Sequence, residues 1–597
     1  MTAKYYSNIE IAELLRSVAA AYELKDAERN KFRIIAYERA ADAVEHATSE
    51  LKDLWDEGKL AEVPGIGPNI ASHLDELFRK GRSKHFDEVM KGYSPNIFKL
   101  IKIQGIGPKT AYKLVTELGL EKSKDILKDV EKVSKKGRIA KLEGFGETSQ
   151  AEITKSIVES KDKVKRILLP YAESIAYEVI SWMKSCKAVE RIDPLGSLRR
   201  KASTVGDIDL SVASDQPQEA IEHFTNYPKA KRVLEKGDHT ASIIVTPEIQ
   251  IDLMVQPVAS YGALLQHFTG SKHHNIALRE YAMKKGLSLS EYGIKNRRGK
   301  LKSYKTEEEF YQVLDMEWIP PELREDTGEI EVALNHKIPK LVELPDIKCD
   351  LQIHSDFDIE TSHDLGESSM EEIIEKGNSL SYEYLAFTEH NPSKSGHSEK
   401  KIVELIKRKN EAVEKLNYSL VKDMKISVKK VFNSLEIDIM PDGSLPVPQE
   451  AFGYLDFALV SIHSSFRLSR NEMTKRILSA LAYPKVKIFA HPTARKINER
   501  EGVELNWPEI FEFCRKNNKW IEINADPMRL DLPDNLVKEA IDYGIKLTLG
   551  TDAHHKDGLE NIKYGVYVAR RGWAKANDII NTQSLEEFEK LLKGGDK

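Results

Sequence analysis

Asp207 and Asp209 stand two apart in TVGDIDLSVAS (204–214), among apolar residues that read as a buried strand. Side chains at i and i+2 leave a strand on one face. The two carboxylates therefore repel, and burial makes their charges costlier still. Divalent cations remove the objection, because two metals ~3.5–4 Å apart and bridged by such carboxylates activate an attacking oxygen and neutralise a leaving phosphate. Asp252 in IQIDLMV (249–255) adds a third carboxylate from a separate strand-like run. Upstream, LGSLRRKASTVGD (195–207) offers Gly196, Ser197 and Arg200, a glycine turn with hydroxyl and guanidinium groups suited to clamping a polyphosphate. The combination points to nucleotidyl transfer with Mg²⁺ or Mn²⁺ as a two-ion cofactor.

A second constellation comprises His354, His390, Glu436, His463, His491, Asp552 and His554, each at the C-terminal end of an apolar run. Mixed imidazole and carboxylate donors suit Zn²⁺ or Mn²⁺. A third pattern is repeated: VPGIGPNIASHLDEL (63–77) and IQGIGPKTAYKLVTEL (103–118) share a Gly-Ile-Gly-Pro turn running into an amphipathic helix. Gly65, Gly67, Gly105 and Gly107 allow close approach of a ligand, and the helix start offers unpaired N–H groups to an anion. Backbone donors hold phosphate without reading bases, so sequence-independent binding is expected.

The elements that must position these groups differ along the chain. The first ~165 residues are helical in pattern, with Gly-rich turns. AVERIDPLG, VGDIDLSVA, ASIIVTP and IQIDLMV then read as a mixed sheet at about 188–257, followed by a more helical segment to about 335. From 347 onward seven apolar runs, KCDLQIHS, EYLAFTEH, VFNSLEIDIM, FALVSIHSS, KIFAHP, WIEINAD and KLTLGTDAHH, alternate with helical segments. That rhythm implies a parallel, barrel-like α/β domain with its chemistry at the strand C-termini.

Composition sets the outer limits. With 41% apolar and 31% charged residues over 597 positions, the chain is long enough for three to five compact units and too apolar to be disordered. Cys186, Cys349 and Cys514 lie far apart without a C-x-x-C spacing, which points to neither a disulfide framework nor a thiolate zinc site and fits a reducing cytoplasm. No run approaches the ~20 apolar residues of a membrane span. The net charge of −5 argues against nucleic acid over the whole chain, yet residues 91–166 carry 18 Lys and Arg against 10 Asp and Glu, a local footprint for phosphates.

Through residues 1 to about 335 the chain resembles the X family of DNA polymerases, with FTGSKHHNIALREYA (268–282) and LSEYGI (289–294) similar to its thumb. The resemblance implies that Asp207, Asp209 and Asp252 bind two metals, and that Ser197, Arg200 and Gly206, with Gly196, hold the triphosphate of an incoming nucleotide. Asn275 and Arg279 would approach the minor-groove side of the nascent pair. Phe268 and Gly270 would be nucleotide-binding positions in the gate His267-Phe268-Thr269-Gly270-Ser271; the family often has Tyr-Phe-x-Gly-Ser there, which leaves ribose discrimination open. The Gly-x-Gly turns resemble helix-hairpin-helix motifs, with LEGFGETSQAEITKSI (142–157) as a degenerate third copy. Members that excise 5′-deoxyribose phosphate use lysines on the second helix of the first hairpin. Asn69 and His73 occupy those positions, neither forms a Schiff base, and no efficient lyase is expected.

Residues 347–597 resemble the polymerase-and-histidinol-phosphatase (PHP) domain that follows the polymerase core in many family members. DLQIHS, AFTEHNPS, LEIDIMPDGSLP, SIHSSF, AHPTAR, EINADPMRLDLP and GTDAHH carry the likeness. It implies a cluster of up to three Mn²⁺ or Zn²⁺ ions that hydrolyses phosphoesters, in polymerase fusions as a 3′→5′ exonuclease. Where PHP domains show His-x-His, Gln352 precedes His354, a poorer ligand for these metals. The next ligand is displaced too: Asp358 or Asp364 is available, and Asp364 is favoured because Gly-x-x-Ser follows it.

The expected architecture is multidomain: an all-α helix-hairpin-helix region (1–90 and 91–165), an α+β nucleotidyltransferase palm (166–260) and thumb (261–335), a linker (336–346), and a distorted (βα)7 barrel (347–597). The expected function is a gap-filling DNA polymerase in base-excision repair with an appended phosphoesterase, acting on gapped or nicked DNA and dNTPs as a cytoplasmic monomer. The alternatives are a template-independent nucleotidyltransferase, a polymerase whose PHP domain is only structural, and a gap-binding scaffold.

Overall fold

The computed structural model describes residues 8–45, 51, 55, 60, 63, 65–103, 106–162, 166–245, 249–422, 426–466 and 468–593. The chain divides into two compact units, Met1–Val164 and Lys165–Lys597.

In the first unit the helices include Pro68–Lys80 and Pro108–Glu117, the second helices of the two Gly-x-Gly repeats. Pro68 and Pro108 open them, where a missing N–H costs nothing. Gly67 and Gly107 cap them in extended conformation without a side-chain cap, and a β-carbon at either would meet nothing within 4 Å. Gly65 differs. Its φ is +97°, and a β-carbon would stand 3.0 Å from Ala43 Cβ and 3.2 Å from the Arg39 carbonyl oxygen, so it serves packing against the helix Lys31–Glu45. Gly105 lies outside the described residues. The third copy repeats the pattern, with Gly144 at φ +84° and Gly146 open ahead of the helix Glu147–Asp162. Apolar burial falls into two clusters, one built from Ile11 to Phe86 and one from Ile97 to Ile157.

The second unit opens with a five-stranded mixed sheet. Its strands are β1 (Arg191–Pro194), β2 (Ile208–Ala213), β3 (Arg232–Lys236), β4 (Thr240–Val245) and β5 (Ile249–Gln256), in the order β1-β2-β5-β4-β3. Only β2 and β5 pair in parallel, and their register sets Asp209 opposite Asp252. The helices Tyr261–Thr269, Lys272–Lys284 and Glu307–Val313 and a small three-stranded sheet (288–302) pack around their own apolar cluster.

The barrel follows, with strands β6 (Cys349–Ile353), β7 (Tyr384–Phe387), β8 (Lys430–Asn433), β9 (Glu436–Asp438), β10 (Ala458–Ser461), β11 (Val486–Phe489), β12 (Trp520–Asn524) and β13 (Leu547–Gly550). Every pairing is parallel. Seven sequence runs yield eight strands because Ser434 and Leu435 interrupt the third, leaving sheets β6-β7-β8 and β9-β10-β11-β12-β13. Bridges from His390 to Glu436 and from Ile353 to Ala553 complete the ring. The seam is clipped by Lys409, whose buried ammonium donates to the carbonyls of Phe387 and Ser434 and pairs with Glu389. Phe588 from the last helix, Leu585–Leu592, packs with Tyr384, Phe432, Phe457 and Trp520.

The segment expected as a linker is held firmly. Leu341 and Val342 are buried, the Val342 N–H donates to Ala574 at 2.9 Å, and its carbonyl accepts from Arg570 at 3.0 Å. One continuous cluster of buried apolar residues runs from the helix Leu169–Met183 into the barrel.

Candidate active sites

At the five-stranded mixed sheet, Asp207, Asp209 and Asp252 each present a carboxylate oxygen within 4.8 Å of the others. Ser242, across from Asp252 on β4, donates to Asp252 Oδ1, and the Gln250 amide donates to both of its oxygens at 3.0 and 3.1 Å. Burial, then the charges of Asp207 and Asp252, push Asp209 up to about 7. An all-oxygen donor set with unrelieved repulsion fits hard divalent cations.

The turn before β2 is built against this cluster. The Leu195 N–H donates to the Asp209 carbonyl at 2.9 Å. Gly196 has φ +55°, and a β-carbon there would sit 3.3 Å from Asp209 Oδ2. Ser197 lies in the first turn of the short helix Gly196–Arg199. Arg200 Nε donates to Glu325 at 2.8 Å and NH1 to the Thr269 carbonyl at 2.6 Å. A β-carbon at Gly270, φ +69°, would lie 3.1 Å from that same NH1, and one at Gly206 would lie 3.3 Å from Arg166. Phe268 meets His267 edge-on, centroids 4.8 Å apart. Asn275 is tied to its own neighbourhood, donating to the His267 carbonyl at 2.7 Å and accepting from Gln266 at 2.9 Å, whereas Arg279 is exposed.

At the barrel mouth Glu436 is the hub. His491 Nε2 lies 2.7 Å and His463 Nε2 3.3 Å from its Oε1; His354 Nε2 lies 3.3 Å and His390 Nδ1 3.7 Å from its Oε2. Asp552 Oδ1 lies 3.2 Å from His354 Nε2. His354 stacks between His390 and His554, with centroids 4.5 and 4.3 Å away. Burial alone would raise Glu436, but the surrounding imidazoles hold it well below the usual range. Burial likewise opposes the charge on His354 and His463, yet their carboxylate neighbours carry them up to about 10 and 9. Several buried ring nitrogens make no hydrogen bond: both of His354, Nδ1 of His390 and His491, and Nε2 of His554. Orphaned imidazole nitrogens beside carboxylates fit metal ions.

Two further residues belong here. His363 Nε2 and His463 Nδ1 lie 2.9 and 2.8 Å from Asp438 Oδ1, and the three form a potential metal group. Asp438 stands two after Glu436 on the same strand, the spacing that singled out Asp207 and Asp209. Asp364 lies outside the metal-ligating groups, although its charge reaches His554. Asp358 instead accepts from the Glu360 N–H at 2.6 Å. Gln352 wedges its amide between the two carboxylates, 2.9 Å from Glu436 and 3.5 Å from Asp552.

Comparison with known proteins bears on both sites. Residues 264–325 match the DNA polymerase beta thumb family, 7–83 a helix-hairpin-helix domain and 98–157 a SAM-like helix-hairpin-helix tandem. The DNA polymerase/3′-5′ exonuclease PolX of Bacillus subtilis (strain 168) is 32% identical over 590 residues, 98% of this chain and 99% of its own. The chain belongs to the X family of DNA polymerases. DNA polymerase lambda of Rattus norvegicus is 23% identical over 354 residues, 53% of this chain and 56% of its own. A probable phosphatase of Thermoanaerobacter sp. (strain X514) is 25% identical over 183 residues, 28% of this chain and 71% of its own. Within this X-family chain the tandem match spans both the second Gly-x-Gly turn and the 142–157 copy. Among the described residues no helix is long and apolar enough to cross a membrane.

Proposed function

We propose that this X-family member is a DNA-directed DNA polymerase that fills short gaps during repair, and that its barrel trims the same primer ends as a 3′→5′ exonuclease. The observation that carries the reading is the parallel register of β2 and β5, which brings Asp209 against Asp252 with Asp207 beside them. These carboxylates would hold two Mg²⁺ or Mn²⁺ ions, which when bound neutralise the triphosphate and lower the barrier to attack by the primer 3′-oxygen. Ser197 and Arg200 hold the triphosphate, and Gly196 leaves room for it beside Asp209. Asn275 and Arg279 face the nascent pair. The N–H groups following Gly67 and Gly107 grip DNA phosphates without reading sequence. In the barrel His354, His363, His390, Glu436, Asp438, His463, His491, Asp552 and His554 would hold Mn²⁺ or Zn²⁺, supplying Lewis-acid activation of water and of the phosphodiester. The enzyme acts on gapped DNA and dNTPs as a cytoplasmic monomer.

A second reading concerns the ion count. Gln352, donating to both Glu436 and Asp552, favours a barrel that holds two ions rather than three.

The test supplies a one-nucleotide gap with a 5′-phosphate, one dNTP and Mg²⁺ or Mn²⁺, following both extension and shortening of the primer. Asp252→Ala should reduce extension by ~10³-fold or more while primer shortening persists. Full extension by that variant would end the polymerase assignment.

A further inference from the structure

The barrel reaches the nucleotide site through one arginine. The helix Ile562–Arg571 ends in two consecutive arginines that point out of the barrel. Arg570 Nε donates to Glu322 at 2.7 Å. Arg571 is anchored by Asp534, with Nε 2.7 Å and NH2 2.6 Å from Oδ2, and its side chain is only 9% exposed. That pair already neutralises the guanidinium, yet NH1 makes two further bonds, 2.8 Å to the Arg200 carbonyl and 3.0 Å to Glu325 Oε1. Glu325 Oε1 is the same atom that accepts from Arg200 Nε.

Glu325 thus sits between two guanidinium groups, one from the barrel and one from the phosphate-clamping turn. With Nε held by Glu325 and NH1 by the Thr269 carbonyl, only NH2 of Arg200 lacks a partner among the described residues. The next residue is gripped by the same helix. Lys201, at φ +56°, pairs with Glu173 at 2.5 Å and lies over the Tyr567 ring, 4.6 Å from its centroid.

We infer that Arg571 is a positioning residue of the polymerase site, fixing through Glu325 and the Arg200 carbonyl the direction in which Arg200 presents its free edge to a triphosphate. The phosphoesterase domain is then a structural part of the nucleotide clamp, independently of its own chemistry. The inference rests on Arg200 being a triphosphate ligand.

The experiment uses full-length protein on a one-nucleotide gap, with inorganic tripolyphosphate as a competitive probe of the clamp alone. Arg571→Ala should raise the dNTP KM about tenfold with kcat changed less than about threefold, and should raise the tripolyphosphate Ki in parallel. Affinity for gapped DNA and Mn²⁺-dependent primer shortening should stay at wild-type levels. Arg571→Lys, which keeps the charge but not the forked donors, should fall between. A dNTP KM within about twofold of wild type, or a raised KM with an unmoved tripolyphosphate Ki, overturns the inference. Arg200→Ala separates the two claims: if it leaves the KM unchanged, the reading of Arg200 is wrong, whereas a raised KM there without one in Arg571→Ala defeats only the positioning role. Should Arg571→Ala fail to fold, Glu325→Gln keeps the side chain and removes its charge. An unchanged KM in that variant is equally fatal.

Discussion

Replacing Asp209 by Asn should stabilise the metal-free protein, and by more as pH rises. The folded Asp209 carboxyl is pushed up to about 7 from an ordinary 3.8, by burial first and then by Asp207 and Asp252. Between those two values the folded chain holds a proton that the unfolded chain has released, so wild-type stability falls with increasing pH across the window and levels above about 7. At ~1.36 kcal/mol per unit the loss is roughly 2 kcal/mol at pH 5.5 and roughly 4 kcal/mol at pH 8, upper bounds for a half-buried group. Asn carries no such proton, so its advantage should widen by about 2 kcal/mol between those pH values, or roughly 2 °C in melting temperature for a unit of this size. The assay is thermal melting in EDTA at pH 5.5, 6.5 and 8, repeated with Mg²⁺. Added Mg²⁺ should restore the wild type at pH 8 and do little for the variant. An advantage that stays constant with pH, or a wild type that is the more stable in EDTA at pH 8, refutes the electrostatic account of the three-carboxylate cluster.

Four other outcomes follow from the geometry. Glu436→Gln removes the charge shared by His354, His390, His463 and His491, and should cut Mn²⁺-dependent 3′ degradation by ~100-fold or more while gap filling is retained; an exonuclease of normal rate would remove Glu436 from the centre. Gln352→His places an imidazole beside Glu436 and Asp552 and should add one bound metal per chain by elemental analysis, so an unchanged metal content would argue that Gln352 does not limit loading. Gly65→Ala, at positive φ and against Ala43, should destabilise the first unit by about 1–2 kcal/mol. Gly67→Ala should leave stability within about 0.5 kcal/mol, because its methyl group meets nothing within 4 Å, but weaken gapped-DNA binding severalfold if the N–H groups after it hold phosphate as proposed; equal effects of the two substitutions on DNA affinity would contradict the division of roles.

Much of the architecture was legible because its signals are local. Seven apolar runs ending in polar residues foretell a parallel ring; six of them are each one strand of the barrel and the third supplies two. The split of the third run at Ser434-Leu435 was not legible, because it depends on Lys409, a distant helical residue whose ammonium satisfies the carbonyls exposed at the seam. A lysine in a helical pattern reads as a solvated face, and only tertiary structure reveals it as buried. Pro339 and Pro345 give the segment 336–346 the pattern of a linker. Its burial against Ala574 and Arg570 comes from residues more than 200 positions away.

The candidate sites show where spacing rules carry and where they stop. Asp207 and Asp209 are legible because i and i+2 share a strand face, and the register of β2 with β5 supplies Asp252. Applied to LEIDIM, the same rule puts Asp438 beside Glu436, so its place in the barrel site was available from the sequence. His363 was not: it sits in a loop, where no periodicity fixes direction. Loop residues are brought to a site by what holds the loop. Here Ser362 donates to Asp438 Oδ2 at 2.9 Å and the Ser362 N–H donates to the Asn391 carbonyl at 2.8 Å, so the hydroxyl and backbone of Ser362 orient His363. Arg571 makes the same point at larger scale. Nothing within 20 residues of it announces a link to the nucleotide clamp, and its role follows from three acceptors, Asp534, Glu325 and the Arg200 carbonyl, that the fold converges on one guanidinium.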